Sequence, residues 1–268
     1  MTETTGPTTA ATPERTTLRV NHLAGVALLV IDRPRRRNAV DLATARAISA
    51  ALDELDSSDR LRVAVLTGSG GVFSAGMDLK AFAERGERPV VEPRGGFGLV
   101  ERPPRKPLIA AVEGPALGGG FEMALACDLV VAGESATFGL PEVRRGLTAA
   151  AGGLLRLPRR IPRNIAMEMV LTGRPLTAAR CAELGLVNQV VPDGAARGAA
   201  LELARLIADN APLAVQASKD VLTASLDWSQ DTQFARQEEF VDPVRRSADA
   251  REGAVAFAER RAPRWQGR

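Results

Sequence analysis

The sequence predicts an α/β fold, because short apolar runs typical of buried strands alternate with segments of helical periodicity as far as Val191. Beyond Gly194 the pattern is helical only. The chain has 268 residues, of which 45% are hydrophobic, so it can bury a sizeable core. We therefore expect one large domain, or a core with a helical appendage.

The first predicted strand is the continuous apolar run at residues 26–31, which is typical of a strand buried on both faces. Asp41 is placed to cap the helix that follows, whose apolar residues recur at helical spacing. Between these elements lie three arginines, at positions 35–37, which are typical of a solvated surface. The chain thus opens with a buried strand and an amphipathic helix.

Three further buried strands are predicted at residues 63–67, 108–112 and 129–132. The glycine-rich turn after the first of them lacks the Gly-Lys-Ser/Thr that completes a phosphate-binding loop. Residues 84–105 are rich in Gly, Pro and Arg and show no periodicity, so we predict a mobile loop over the candidate site there.

Thr177 can cap a helix that Gly185 terminates, and residues 187–191 form the last predicted strand. In the helical C-terminal part, breaks are predicted at Pro212, Pro243 and Pro263. The last helix is predicted to span residues 249–261, and its apolar stripe consists of Ala250, Ala254, Phe257 and Ala258.

The candidate site centres on the triplet Gly118-Gly119-Gly120, which directly precedes a short apolar helix. The first N–H groups of a helix are free, and glycine lets a ligand approach them closely. Such a helix start suits an anion or a transition state that develops negative charge. Glu122 lies in the first turn of that helix, and Glu142 follows twenty residues later behind Pro141. A nearby pair of carboxylates is suited to general acid–base chemistry.

Each feature also has a purely structural explanation. A glycine triplet before a helix often serves only tight packing against a strand, and a first-turn Glu often only complements the helix dipole. The two cysteines, Cys127 and Cys181, and the single histidine, His22, provide neither a CxxC pair nor a zinc pattern. We therefore expect no metal site, and we expect Cys127 in its apolar segment to be a core residue.

The charge balance gives little support for a nucleic-acid partner, since the net charge is only +3 and the basic stripe formed by Arg159, Arg160 and Arg163 is short. Residues 1–16 are rich in Thr, Pro and Ala and are predicted to be a disordered tail on a cytoplasmic protein. No apolar run approaches the roughly 18 residues of a membrane span, so we expect no membrane partner.

Four segments after Thr17 together resemble the crotonase, or enoyl-CoA hydratase/isomerase, superfamily. They are residues 73–80, 107–114, 118–127 and 138–143. The resemblance implies a core of β-β-α repeats coiled into a spiral, here residues 17–193, followed by a helical trimerisation region at residues 194–268. It also implies an enoyl-CoA hydratase, in which the backbone N–H groups of Met77 and Gly119 form an oxyanion hole.

In such an enzyme Glu122 and Glu142 would flank a water molecule, and Glu142 would be the better candidate to protonate the α-carbon. Coenzyme A would enter as part of an acyl-CoA substrate, with no separate cofactor. The substrate-binding positions implied by the resemblance are Arg37, Ala75, Asp78, Leu79, Lys80, Phe257 and Arg260. The last two belong to a helix that docks on a neighbouring subunit, so a homotrimer, or a hexamer made of two trimers, is expected.

Other activities remain open at this point. Typical hydratases carry Pro-Gly where this chain has Ala149-Ala150, and the stretch 95–97 resembles carnitinyl-CoA dehydratases, which run the same chemistry backwards. Isomerases usually keep one carboxylate, so the presence of both Glu122 and Glu142 counts against that activity. A relative that only binds acyl-CoA or RNA is the alternative from outside the enzymes.

Overall fold

The computed structural model describes residues 17–268, and the predicted tail at residues 1–16 lies outside this range. The strands are β1 (Leu18–Leu23), β2 (Val26–Ile31), β3 (Val63–Gly68), β4 (Val90–Val91), β5 (Gly95–Gly96), β6 (Leu108–Val112), β7 (Pro115–Leu117), β8 (Leu129–Gly133), β9 (Thr137–Gly139), β10 (Leu176–Thr177) and β11 (Gln189–Val191). The predicted α/β fold is confirmed, and the last strand begins two residues later than expected.

The helices are α1 (Leu42–Ser57), α2 (Leu79–Arg85), α3 (Gly119–Ala126), α4 (Gly153–Arg160), α5 (Arg163–Thr172), α6 (Ala178–Glu183), α7 (Ala196–Ala208), α8 (Pro212–Ala224), α9 (Gln233–Arg245) and α10 (Ala248–Glu259). Asp41 caps α1 and Thr177 caps α6, each by accepting a hydrogen bond from the backbone N–H three residues on, as predicted.

The main sheet has six strands in the order β1-β2-β3-β6-β8-β11. Only the β1–β2 pair is antiparallel, and the other neighbours run parallel. A second sheet, with the order β10-β9-β7, lies beyond the carboxyl ends of β6 and β8 along the chain. The chain runs from β6 to β7 to α3, and then from β8 to β9, so the predicted β-β-α repeat is present.

Strand β2 is buried over its whole length because both faces of the main sheet are covered. Ala27, Leu29 and Ile31 pack into the larger core together with α1. The alternate residues of β2 face a second core, to which α7 contributes Ala196, Ala200 and Ala204. Helix α7, which the sequence assigned to the C-terminal helical region, therefore packs on the sheet itself.

The loop predicted at residues 84–105 contains the short β4–β5 pair and the buried residues Leu99 and Val100, and its mobility stays a prediction. One predicted helix break is wrong. Pro243 does not break the C-terminal helices but lies inside α9. Pro243 and Glu239, whose carbonyl loses its helical partner, are both exposed, so water can satisfy that carbonyl.

The final helix begins and ends close to the predicted positions, but its predicted apolar stripe faces solvent in the single chain. The buried residues of α10, Asp249 and Ala256, lie on another side of the helix. Within residues 17–268, no helix is both long enough and apolar enough to cross a bilayer.

Candidate active site

The loop after β3 meets the start of α3 so closely that only glycine fits at the contact. A Cβ atom placed on Gly76 would lie 2.7 Å from the Gly119 nitrogen, and one on Gly120 would overlap the Ser74 carbonyl. The Leu117 N–H donates to that same carbonyl at 3.2 Å. The glycine triplet therefore serves tight packing, as its structural explanation required, and it also brings two backbone segments side by side.

Two backbone donors are left free at this contact. The Val40 N–H donates to the Gly76 carbonyl and the Asp78 N–H donates to the Val40 carbonyl, so the Met77 N–H points elsewhere. Within the described part of the chain, neither the Met77 N–H nor the Gly119 N–H donates to a protein acceptor. Gly118, before α3, has φ 55°, a conformation that side-chain-bearing residues rarely adopt. Two unused donors on touching segments are what a developing oxyanion requires.

Glu122 is only 3% exposed, and the loop before α4 fixes its carboxylate. Its Oε1 accepts hydrogen bonds from the N–H groups of Ala151 at 2.7 Å and Gly153 at 2.9 Å. Burial raises the pKa of Glu122, and these two hydrogen bonds oppose the rise without cancelling it. Glu122 is thus a pre-oriented carboxylate and not only a charge at the helix start.

Glu142 begins a short 3₁₀ helix, Glu142–Arg145, after Pro141. Its Oε2 is buried and has no hydrogen-bond partner among the residues that the structure describes. A Cβ atom placed on Gly118 would lie 3.1 Å from its Oε1, so this carboxylate stands beside the glycine triplet. Burial raises the pKa of Glu142, and the negative charge of Glu122 raises it further.

The predicted substrate-binding residues fall into two groups. Arg37 and Ala75 are adjacent, because the Ala75 N–H donates to the Arg37 carbonyl at 3.0 Å. Leu79 and Lys80 open α2 and are exposed. The Asp78 carboxylate caps α2 and pairs with Arg33 at 2.9 Å, so the substrate contact predicted for Asp78 stays a prediction.

Phe257 and Arg260 form the second group and lie at the end of α10. The Phe257 side chain is 88% exposed, and Arg260 ends the helix in the left-handed conformation with φ 55°. Over residues 17–268, no ion pair or side-chain hydrogen bond holds the Arg260 guanidinium. The single chain therefore leaves both side chains open to solvent.

Sequence reasoning missed three residues that shape the site. Arg33 joins Asp41 and Asp78, the caps of α1 and α2, at 2.8 and 2.9 Å.

Arg156, whose pKa is lowered by burial, donates to the Val100 carbonyl, and its positive charge lowers the pKa of Glu122. Phe97 packs its ring against Gly119. The Gly152-Gly153 pair at the start of α4 was the one sequence signal that a second set of free N–H groups lay nearby.

No group of three or more His, Cys, Asp or Glu side chains within the described range lies close enough together to hold a metal ion. Cys127 and Cys181 are buried, and burial raises the pKa of each thiol to about 12. A thiolate nucleophile is therefore disfavoured at either position. The site thus brings together two carboxylates and two unused backbone donors, an arrangement suited to acid–base chemistry on a group that develops negative charge.

Comparison with known proteins agrees with this chemistry. The model of the enoyl-CoA hydratase/isomerase family matches residues 21–268. The enoyl-CoA hydratase EchA19 of Mycobacterium tuberculosis is 42% identical over 90% of this chain and 93% of its own length. The carnitinyl-CoA dehydratase of Salmonella arizonae is also 42% identical, over 93% of this chain and 98% of its own length.

Among solved structures, the enoyl-CoA hydratase EchA1 from Mycobacterium marinum superimposes with a TM-score of 0.92 at 54% identity, covering 94% of this chain and 99% of that one. The chain belongs to the enoyl-CoA hydratase/isomerase family, within the crotonase superfamily. The fold and the enzyme class predicted from the sequence are thereby confirmed.

Proposed function

We propose that the protein catalyses the reversible addition of water to the 2,3 double bond of a trans-2-enoyl-CoA thioester. The observation that carries this proposal is the pairing of the buried Glu122 with the half-buried Glu142, whose Oε2 is enclosed, beside the unused N–H groups of Met77 and Gly119. Hydratases named among the relatives support the same reaction.

The thioester oxygen accepts hydrogen bonds from the Met77 and Gly119 N–H groups. When water adds to the β-carbon, negative charge moves onto this oxygen, and the two donors stabilise it. One carboxylate removes a proton from the water as the new C–O bond forms and the C=C π bond breaks, and a proton is delivered to the α-carbon. Transfer of the water's proton to the carboxylate that gave one up restores the starting state, so one water is consumed in each turnover. Glu142 is our candidate for the delivery, because burial and the charge of Glu122 favour its protonated form.

Coenzyme A takes part as a portion of the substrate, and no separate cofactor is needed for this step. We further propose that the enzyme acts in the cytoplasm, on thioesters of fatty-acid or related acyl-CoA metabolism, as a homotrimer or as a hexamer of two trimers. The exposed Phe257 and Arg260 support an assembly in which α10 meets a neighbouring subunit.

The second candidate is dehydration of a hydroxyacyl-CoA such as carnitinyl-CoA. A carnitinyl-CoA dehydratase is as similar to this chain as the hydratase EchA19, and both reactions use the same acid–base pair. An isomerase needs one carboxylate near the α-carbon, whereas this site holds two, so we rank that activity lower.

The test is to incubate the purified protein with trans-2-enoyl-CoA thioesters of increasing chain length and to follow the loss of the conjugated enone absorbance. Hydroxyacyl-CoA thioesters, including carnitinyl-CoA, are assayed in the opposite direction. We expect turnover with at least one enoyl-CoA and about 10²–10⁴-fold less with Glu142→Gln. Binding of acyl-CoA without turnover in either direction would identify a non-catalytic binder instead.

A further inference from the structure

Phe97 has an unusual backbone for a large side chain. It lies in the stretch Gly95-Gly96-Phe97-Gly98 with φ 56°, in the left-handed region, and its side chain is nevertheless buried, with only 6% exposed. Bulky residues seldom occupy this region, and such outliers persist only where the surrounding structure enforces them. We therefore expect the contacts of the Phe97 ring to explain why this strained backbone is present.

Neighbouring contacts hold the segment in place from both sides. The Phe97 N–H donates to the Pro89 carbonyl at 2.6 Å. Arg94 is buried and joins Asp53 and Asp56 of α1 at 2.8 and 2.9 Å. Gly98 packs tightly against α1, because a Cβ atom added to Gly98 would overlap the Ala45 carbonyl. The backbone of Phe97 is thus clamped to α1 and has little freedom to withdraw its ring.

The ring stands on the backbone of Gly119. A Cβ atom placed on Gly119 would lie 2.9 Å from Cε1 and 2.7 Å from Cε2 of Phe97, and it would overlap Cζ. These ring atoms are the three nearest neighbours of that position. Gly119 therefore cannot move toward this side, and the ring covers one face of the residue that carries a proposed oxyanion donor.

We propose that Phe97 is a positioning residue, whose ring fixes the backbone of Gly119 so that the N–H remains aimed at the thioester oxygen. This inference rests on the proposed function. A catalytic donor must be held within about 0.5 Å of its productive place, and a misplacement of about 1 Å can cost 10²-fold in rate. The strained backbone of Phe97 then places a rigid ring against Gly119, on the side where the Cβ atom of any other residue would lie.

The first test compares Phe97→Leu and Phe97→Ala with the unchanged protein. Because the donor acts mainly on the transition state, kcat should fall by about 10–10²-fold while KM changes much less. The carbonyl stretching frequency of a bound saturated acyl-CoA, labelled with carbon-13 at the thioester, should return toward its value in water. Phe97→Leu, which keeps an apolar side chain, should lose less than Phe97→Ala on both measures.

Leu55→Ala is the matched control, since Leu55 is fully buried in α1 and is not among the neighbours of Gly119. It should lower the melting temperature at least as much as Phe97→Leu and leave the carbonyl frequency unchanged. If Phe97→Leu and Phe97→Ala lower stability but keep the wild-type frequency and kcat, Phe97 is a core residue only and the inference is overturned.

A second test alters both partners of the contact between the Phe97 ring and Gly119. Gly119→Ala keeps the N–H but drives a methyl group into the ring, so turnover should collapse. Adding Phe97→Ala removes the ring, and the double variant should be more active than Gly119→Ala alone, a coupling that independent sites do not show. Losses that simply multiply would contradict the inference.

Failure of the proposed function has a different signature. In that case the unchanged protein itself would produce no carbonyl shift on binding the labelled acyl-CoA, whatever residue stands at position 97. A shift in the unchanged protein that survives intact in Phe97→Ala would overturn only the role of Phe97.

Discussion

At the scale of single residues, the buried Glu122 and the half-buried Glu142 differ in how their carboxylate oxygens are hydrogen-bonded. Glu122 is held by two backbone N–H groups, whereas Oε2 of Glu142 has no partner within residues 17–268. Hydrogen bonds to a carboxylate favour its ionised form, and an unpartnered buried oxygen does not. The pKa values of both carboxyls are raised by burial, and the hydrogen bonds from Ala151 and Gly153 oppose that rise at Glu122.

The enclosed Oε2 of Glu142, which has no hydrogen-bond partner among residues 17–268, should cost the protein stability at neutral pH. Its pKa is raised on folding, so the folded state binds the proton more tightly and its stability falls as pH rises from about 4 through the raised value. Glu142→Gln carries no charge to bury. We expect it to be more stable than the unchanged protein near pH 8, by about 0.5–2 kcal/mol, with the difference shrinking toward pH 5.

Melting temperatures measured between pH 5 and pH 8 test this expectation. Glu134→Gln is the control, because Glu134 is exposed and its replacement should leave the curve nearly unchanged. A gain for Glu142→Gln that is equal at every pH would contradict the assignment of the effect to ionisation.

The two carboxylates should also behave as one unit in turnover. Glu122→Gln and Glu142→Gln are each expected to lower kcat by about 10²–10⁴-fold, because in the proposed reaction each removes an acid–base partner of the same water. The double variant should be far less impaired than the product of the two losses, as found when residues act together. Kinetics of the four proteins on one enoyl-CoA provide the measurement, and strictly multiplicative losses would mean two separate roles.

At the scale of elements, the sequence predicts those helices, strands and caps that depend on local sequence patterns. Strand β2, helix α1 and its cap Asp41 follow from apolar runs, helical spacing and a capping side chain, and all are present as predicted. The position of Glu122 in the first turn of α3 could likewise be predicted. These features depend on residues that are neighbours in the chain.

Structural features that depend on contacts between residues far apart in the chain could not be predicted from the sequence. Residues 84–105 lack periodicity, and their order comes from Arg94, which binds Asp53 and Asp56 some forty residues earlier. The N–H groups that orient Glu122 come from Ala151 and Gly153, in another element. Such partners become apparent only when the spiral brings the elements together.

Asp78 shows how such a contact ties two elements. Burial raises the pKa of this carboxyl, but the Ala81 N–H and Arg33 outweigh burial and hold it below its usual range. Its contribution to stability is therefore present above about pH 4 and is lost as pH falls through the lowered pKa. We expect Asp78→Ala to destabilise the protein by about 1–3 kcal/mol at pH 7, through loss of the cap of α2 and of the ion pair.

Asp78→Asn separates the two contributions, because an amide oxygen can still cap α2 but carries no charge for Arg33. We expect a smaller loss than for Asp78→Ala in denaturant unfolding at pH 7. Equal stability of Asp78→Ala and the unchanged protein would mean that Arg33 is satisfied by Asp41 alone.

At the scale of the whole molecule, the C-terminal helices leave large apolar side chains uncovered. Leu222, Leu226, Phe234 and Phe257 are between 66% and 88% exposed. A contiguous apolar surface built from such side chains would mark a place that another protein covers. A second and third copy of the chain are the partners that the proposed homotrimer supplies.

Arg260 is placed to link this assembly to substrate binding. Its guanidinium forms no ion pair within the described chain, and it ends a helix that we propose to dock on a neighbour. Arginine can hold a phosphate through two parallel hydrogen bonds, so Arg260 is suited to the coenzyme A phosphate bound by that neighbour. Arg260→Ala should weaken binding of coenzyme A thioesters by about 1–3 kcal/mol, measured by calorimetry.

Thioesters of dephospho-coenzyme A, which lack the 3′-phosphate, should lose much less affinity in Arg260→Ala. Arg251→Ala is the matched control, since Arg251 is an exposed arginine of the same helix nearer its start, and it should leave both affinities unchanged. Equal losses for the two thioesters would exclude the phosphate contact. Light scattering that finds a fully active monomer would exclude the shared site, because Arg260 could then act only within its own chain.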